Sequence, residues 1–261
     1  MRLRIGVFAL ILTCSASIML AQAPPRVVHV FVALADNAHQ GIVPVPAHLG
    51  NGDDPERNLY WGSAYGVKTF FARSNEWKLI SCAAKPKPAV LERCVFRHKT
   101  ASVYLVADAY KGSEIAETII DFLTALAGGN SDVVALKSGA TSLTLNAGGK
   151  AQLLAYVGHD GLMDFDLSSL PKKQNDQRRE AIILACASKQ YFSAAVRASG
   201  ATPMLWTTNL MAPEAYTLKS ALDGWIAEED NQHIRQRAAE AYHQYQKCGT
   251  AAAMKLLVTG W

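Results

Sequence analysis

Five runs of mainly apolar residues, without alternation of polar and apolar positions, recur along the chain. Runs of this kind and length are typical of strands that are buried on both faces of a sheet. They are Arg26–Leu34, Ser102–Ala109, Leu153–Val157, Ala181–Ala185 and Met204–Thr207. Two shorter runs, Val133–Leu136 and Ser142–Leu145, predict further strands on either side of Ser138-Gly139.

Amphipathic stretches separate these strands. A helix is predicted after Ser113, because Ile115, Ile119 and Phe122 recur at helical spacing and Gly128 follows as a stop signal. Further helices are predicted from Ser188 to Gly200, from Pro213 onward, and from Glu228 to about Lys247. Strands that alternate with helices predict an α/β fold, with a mostly parallel sheet and helices on both of its faces.

A long segment without periodicity, from Asp36 to about Arg73, follows the first strand. Loops of this length are usually functional or disordered, and the aromatic residues in this one favour order. The next two runs, Trp77–Ala83 and Val90–Arg97, surround a Lys-Pro-Lys-Pro turn and predict a β-hairpin. Since no repeat or second composition regime appears, we expect one domain over residues 24–261, with residues 36 to about 100 as an insertion.

Residues 1–23 are typical of a signal peptide. Two arginines precede an apolar core, Ile5–Leu12, that is too short to span a bilayer, and Ala21-Gln22-Ala23 matches a cleavage site. Because Pro24 follows directly, a cut near Ala16 is the alternative. No later run is long and apolar enough to predict a transmembrane segment. We therefore expect an exported protein, periplasmic in a bacterium or secreted.

Export changes the interpretation of the cysteines. Cys82 and Cys94 lie on the two strands of the predicted hairpin, and an oxidising compartment favours a disulfide between them. The alternative is a pair of reduced, half-buried thiols.

Composition excludes several classes of protein. Half of the residues are apolar and 18% are charged, which excludes a disordered chain, a collagen-like repeat and a coiled coil. The net charge is +4, and two of these charges lie in the predicted signal peptide, so we expect no nucleic-acid partner.

The sequence contains no recognisable motif for a metal or a cofactor. No zinc-site spacing matches the group His39, His48, Asp53 and Asp54, and no phosphate-binding glycine loop is present. We therefore expect neither a metal nor a cofactor.

Polar residues that carry chemistry follow the predicted strands. Ligands of open α/β sheets bind beyond the carboxyl ends of the strands. The residues at those positions are Asp36-Asn37, Asp108, His159-Asp160-Gly161, Cys186 and Thr208-Asn209. A histidine thus follows one buried strand and a cysteine follows the next. An imidazole can accept the proton of a thiol and later give it to a leaving amine, and a nearby glycine lets a backbone N–H approach an oxyanion.

These two blocks resemble the double signature of the caspase–gingipain–legumain superfamily of cysteine peptidases. In that superfamily an apolar strand ends in His-Gly, and the next strand ends in a short residue and the catalytic cysteine; the corresponding blocks here are Leu153–Gly161 and Ala181–Ser188. The order of elements agrees from Arg26 to Ile226. The resemblance implies a caspase-like three-layer sandwich in which Cys186 is the nucleophile, His159 is the general base and acid, and the Gly161 region and the Cys186 N–H form the oxyanion site.

The sequence departs from this signature at two positions. Asp160 separates His159 from Gly161, so it moves the glycine by one residue and enters the predicted oxyanion region. A carboxylate there can raise the pKa of the imidazole or oppose formation of the thiolate. Ala187, not glycine or serine, follows Cys186.

Three hypotheses therefore remain. The first is an exported cysteine endopeptidase that acts on a peptide or protein. The second is an inactive relative whose Asp36–Arg73 loop binds a peptide or protein partner in the cell envelope. The third is a hydrolase of another class that does not use Cys186. The sequence does not determine the oligomeric state.

Five residues are candidates for substrate binding: Asp36, Asn37, Asp108, Asn209 and the loop residue Trp61. One of the aspartates could bind a basic side chain. The alternative is that the aspartates cap turns and that the tryptophan belongs to a small core within the loop.

Overall fold

A computed structural model describes residues 24–138 and 141–261. The predicted signal peptide, residues 1–23, lies outside the described residues. The strands are β1 (Arg26–Ala33), β2 (Trp77–Lys87), β3 (Val90–His98), β4 (Val103–Tyr110), β5 (Ser131–Ser138), β6 (Thr141–Gly148), β7 (Leu153–Val157), β8 (Glu180–Leu184), β9 (Thr202–Thr207) and β10 (Leu257–Val258). The α-helices are α1 (Val67–Ala72), α2 (Ile115–Leu126), α3 (Ser188–Ser199), α4 (Ala215–Ile226), α5 (Asn231–Gln246) and α6 (Thr250–Leu256).

Eight of these strands form one sheet in the order β10-β9-β8-β7-β1-β4-β3-β2. The central strands β9, β8, β7, β1 and β4 pair in parallel, whereas β2, β3 and β10 pair antiparallel. The predicted α/β class with a mainly parallel sheet is therefore confirmed. The strand order changes direction at β1, because β4 lies on one side of it and β7 to β9 lie on the other. Crevices that bind ligands form at such points in α/β sheets.

Helices pack on both faces of the sheet. Successive side chains of a strand point to opposite faces, so each strand contributes to two separate apolar clusters. Val28 and Val30 of β1 belong to the cluster that α1, α4, α5 and α6 cover. Val27 and Phe31 belong to the cluster that α2 and α3 cover. Burial on both faces explains why β1 and β7 are apolar without alternation.

The predicted hairpin extends the sheet at one edge. β2 pairs with β3, and β3 pairs with β4, so the hairpin is continuous with the main sheet. Cys82 and Cys94 lie opposite each other in this ladder and form a disulfide, which confirms the predicted bond.

Two further segments complete the architecture. β5 and β6 form a separate two-stranded ribbon, longer than the two runs that predicted it. The C-terminal strand β10 pairs with β9 through Leu257 and Val258, so the tail packs back on the sheet. Within the described residues, no helix combines the length and the apolar character that a membrane span requires.

Candidate active site

The structure places His159 and Cys186 at one end of the sheet. β7 and β8 are parallel neighbours in which Val157 pairs with Leu184, and the Gly158 N–H donates to the Leu184 carbonyl at 3.2 Å. The chain therefore leaves both strands at the same level, two residues before His159 and two before Cys186. Both residues line one cavity of about 330 Å³.

A tight turn follows Cys186. Ala187 adopts the left-handed conformation, with φ of 47° and ψ of 31°, and helix α3 begins at the next residue. The Ala187 N–H donates to the Asn209 carbonyl at 2.9 Å, and the Ser188 hydroxyl donates to the Ile183 carbonyl at 2.9 Å. The turn that the sequence did not reveal is thus made by an alanine, and it places the cysteine between the end of β8 and the start of α3.

The Cys186 sulfur is held by a backbone group across the cavity. The Met211 N–H donates to Sγ at 3.4 Å, and Sγ lies 3.7 Å from the Met211 carbonyl oxygen. Among the described residues His159 forms no hydrogen bond with this sulfur. Burial raises the pKa of the Cys186 thiol, and the nearby Asp160 carboxyl raises it further, whereas the Met211 N–H lowers it. The raised pKa favours the neutral thiol.

His159 is oriented by a carboxylate that the sequence analysis missed. Its Nε2 lies 2.6 Å from Oδ2 of Asp164, and its own carbonyl accepts the Tyr156 hydroxyl at 2.7 Å. The 3-10 turn Gly161–Met163 brings Asp164 back to the imidazole. The signal that could have revealed this pair is the carboxylate five residues after the histidine, directly beyond a glycine-initiated turn. A carboxylate in this position fixes the orientation of the ring.

The residues predicted for the oxyanion site differ in whether their backbone N–H is already hydrogen-bonded. The Gly161 N–H donates to the His159 carbonyl at 3.1 Å, and a Cβ at Gly161 would lie 2.7 Å from the Phe165 ring. Gly161 is therefore required for close packing, and it does not line the cavity. Within the described part of the chain, no group accepts the N–H of Cys186 or that of Asp160.

The Asp160 side chain is buried, and only one of its two carboxyl oxygens has a hydrogen-bond partner. Its Oδ1 accepts the Leu162 N–H at 3.0 Å, whereas Oδ2 has no partner among the described residues. Burial raises the pKa of Asp160 to about 7; the Leu162 N–H lowers it, and the neighbouring Asp164 raises it. Asp160 therefore changes its charge near neutral pH, close to the cysteine and the histidine.

Asp36 and Asn37 lie in the loop after β1 and do not line the cavity. Asp36 is buried, and its Oδ2 lies 2.8 Å from Nδ1 of His39. The Asn37 amide donates to the Val45 carbonyl at 2.7 Å and accepts the Val45 N–H at 3.1 Å. Both side chains stabilise the conformation of their own loop.

Asp108 lies inside the fold, away from the cavity. Arg93 binds it with two hydrogen bonds of 2.6 Å and also binds Asp132 on the β5–β6 ribbon, while His29 lies 3.2 Å away. Burial alone would raise the pKa of Asp108, but the hydrogen bonds from Arg93 and His29 outweigh it and keep the pKa below its usual value. The position expected for a substrate ligand is therefore occupied by an internal ion-pair network.

Trp61 and Asn209 also lie outside the cavity lining. Trp61 is fully buried, and its indole N–H donates to Glu92 at 2.6 Å, so it belongs to the core beneath the loop. Asn209 is exposed and contributes its carbonyl to the turn at Ala187. The aromatic residue that does line the cavity is the preceding one, Tyr60.

The cavity wall comes largely from two segments that the sequence analysis did not single out residue by residue. One is the long loop after β1, and the other connects β9 to α4. The aliphatic side chains of the wall are Ile42, Val43, Leu59, Met163, Leu210, Met211, Ala212 and Pro213. Glu214 is the carboxylate among the lining residues.

Comparisons were made with family models, with curated proteins and with solved structures, and none of the three finds a match for this chain. Among the described residues, one group of three side chains has the spacing of metal ligands, namely Cys82, Glu92 and Cys94. Its two sulfurs are joined in the disulfide, so this group offers no thiolate ligand.

Proposed function

We propose that this protein is an exported cysteine endopeptidase related to the caspase–gingipain–legumain superfamily, with Cys186 as nucleophile and His159 as general base and acid. One observation carries the proposal: both side chains line the same cavity, beyond the ends of two adjacent parallel strands. A parallel sheet with helices on both faces also supports a caspase-like sandwich. The disulfide supports an oxidising compartment.

The raised pKa of the Cys186 thiol determines the first step. Because the thiol is neutral before reaction, His159 takes its proton while the sulfur bonds to the peptide carbonyl carbon. The C–N bond then breaks, the proton leaves with the amine, and a thioester remains on Cys186. Water attacks the thioester, His159 accepts the proton of that water, and the proton returns to the sulfur as the acid leaves.

Two neighbours support this chemistry. Asp164 holds His159 and stabilises the imidazolium that forms when the thiol loses its proton. The free N–H of Cys186, next to the first turn of α3, can donate to the oxyanion of the tetrahedral intermediate.

The test is cleavage of a complex peptide mixture, read by mass spectrometry. The wild type should cleave, whereas Cys186→Ala and His159→Ala should lose at least about 100-fold in rate, the usual scale for loss of a general base or a nucleophile. Cys248→Ala is the matched control, because Cys248 is the other free cysteine of the described residues and is exposed. Cleavage that survives in Cys186→Ala, or no cleavage by the wild type, would refute the peptidase.

A second candidate function is peptide binding without catalysis. It is favoured by the environment of the sulfur, which is bound by Met211 rather than His159 and faces a carboxyl that opposes ionisation. In this case Cys186→Ala would keep both peptide affinity and any cellular phenotype, while changes in the loop after β1 would abolish them.

A further inference from the structure

Glu214 lines the cavity and is a carboxylate without a cationic partner among the described residues. It is only partly exposed, and its Oε2 accepts the Tyr216 hydroxyl at 2.8 Å and the Gln246 amide at 3.2 Å. No group in the described ranges donates to Oε1, and none of their lysines, arginines or histidines forms an ion pair with Glu214. Burial of a carboxylate costs free energy unless hydrogen bonds or an opposite charge compensate it, and hydrogen bonds alone compensate this partly buried one.

The position of Glu214 in the chain would allow its side chain to cap a helix. Glu214 precedes the first turn of α4, where a polar side chain can accept an N–H of the helix, although the preferred residues are serine, threonine, aspartate and asparagine. Its side chain makes no such hydrogen bond. The carboxylate therefore does not cap α4; one oxygen accepts hydrogen bonds from Tyr216 of α4 and Gln246 of α5, and Glu214 lines the cavity.

A second polar group in the cavity also lacks a partner. Tyr60 is 6% exposed and lines the cavity, yet within the described residues its hydroxyl forms no hydrogen bond. Burial raises the pKa of this hydroxyl, and the charges of Cys186 and Glu214 both raise it further. The hydroxyl is therefore within electrostatic reach of the candidate nucleophile and of the unpaired carboxylate.

We propose that this cavity binds a cationic group of a peptide, an ammonium or a guanidinium, at the Glu214 carboxylate, with the Tyr60 hydroxyl as a further hydrogen-bond partner. The inference rests on the proposed function only in taking a peptide as the ligand. The apolar wall formed by Leu59, Met211 and Pro213 suits the aliphatic stem of lysine or arginine, whose charged end would reach Glu214. A free α-ammonium at a peptide N-terminus offers the same chemistry.

The experiment measures binding separately from cleavage. The full-length Cys186→Ala protein is titrated with an acetylated pentapeptide amide that has a central lysine among alanines, and with its norleucine analogue, which keeps the stem but lacks the charge. A third peptide has norleucine and a free N-terminus. The lysine peptide should bind at least about tenfold more tightly than the acetylated norleucine peptide, since a charge-assisted hydrogen bond in a partly buried site distinguishes them.

Variants of the protein test which residue causes the tighter binding of the lysine peptide. In Glu214→Gln, which keeps an acceptor for Tyr216 and a similar shape, the ratio of the two affinities should fall to about one. Tyr60→Phe should reduce the ratio. Glu240→Gln removes an exposed carboxylate of α5 that does not line the cavity and should leave the ratio unchanged.

Each outcome decides between the alternatives. If the norleucine peptide with a free N-terminus binds more tightly than the acetylated norleucine peptide, and the lysine peptide does not, the site is supported and its ligand is the α-ammonium. Equal or tighter binding of acetylated norleucine, a preference that survives in Glu214→Gln, or no binding of any peptide overturns it. If the preference depends on Glu214 but the wild type cleaves nothing, the cation site stands and the peptidase fails. If the wild type cleaves the norleucine peptide best, the peptidase stands and the cation site fails.

Discussion

Replacing Asp160 by asparagine should stabilise the protein, by an amount that increases with pH. Oδ2 of Asp160 is buried without a partner, and ionisation of this carboxyl has no compensating cation. Asparagine has nearly the same shape and keeps an oxygen that can accept the Leu162 N–H. The variant therefore removes the titration and little else.

The magnitude follows from the shift of the pKa. Burial raises the pKa of Asp160 from 3.8 to about 7, so the folded protein binds this proton more tightly than the unfolded chain does. The wild type has the full stability contribution of the protonated carboxyl below about pH 4 and loses it as the pH rises to about 7. Each pH unit corresponds to about 1.4 kcal/mol, which gives a total of about 4 kcal/mol.

Urea unfolding of the wild type and of Asp160→Asn, from pH 4.5 to 8.5, measures this difference. The advantage of the variant in the free energy of unfolding should rise steeply up to about pH 7 and level off above it. A second measurement follows from the same charge: the Asp160 carboxylate raises the pKa of Cys186, so alkylation of Cys186 relative to Cys248 should be faster in the variant at pH 8.

Asp166→Asn is the matched control, because Asp166 is an exposed carboxylate on the same segment. Its difference from the wild type should stay within about 0.5 kcal/mol and should not follow the same curve. An Asp160→Asn difference that is independent of pH, or largest at low pH, would refute the reasoning that burial of an unpaired carboxylate dominates at this site.

Three further changes test other parts of the structure by the same unfolding measurement. Arg93→Ala should cost about 4 kcal/mol, because Asp108 then stays buried without its bidentate partner, and adding Asp108→Asn should recover part of the loss. Reduction of the Cys82–Cys94 disulfide, which links residues 12 positions apart, should cost about 3 kcal/mol, and no loss would show that the hairpin is constrained without it. Ala187→Gly should add about 1 kcal/mol, because the left-handed conformation of Ala187 is free of steric cost only for glycine; destabilisation would contradict that conformation.

The sequence alone determined most of the fold, because the burial of each strand is encoded in its own residues. The predicted run Leu153–Val157 coincides with β7, and the other central strands differ from their predicted bounds by one or two residues. A strand that is covered on both faces must be apolar at every position, and this pattern is local. The disulfide was accessible for a similar reason, because a short turn between two strands fixes which cysteines face each other.

The sequence alone could predict that the two residues of the candidate dyad follow neighbouring strands, but not what surrounds them. Parallel strands that are neighbours in the chain place the residues after them at one edge, which brought His159 and Cys186 to one cavity. The environment of the dyad was not predictable in this way. That Met211 binds the sulfur depends on the path of a distant loop, and that Asp164 returns to His159 depends on the 3-10 turn between them.

Tertiary structure also decided which polar residues are available to a ligand. Asp108 follows the pattern of a strand-end ligand, but Arg93 on the neighbouring strand β3 binds it inside the fold. Trp61 and Tyr60 are adjacent in the loop, and only the packing of that loop on the sheet puts one in the core and the other at the cavity. The physical reason is the same in each case. Periodicity along the chain records whether a residue is buried, whereas the identity of its partners depends on segments that are distant in sequence and meet only in the folded protein.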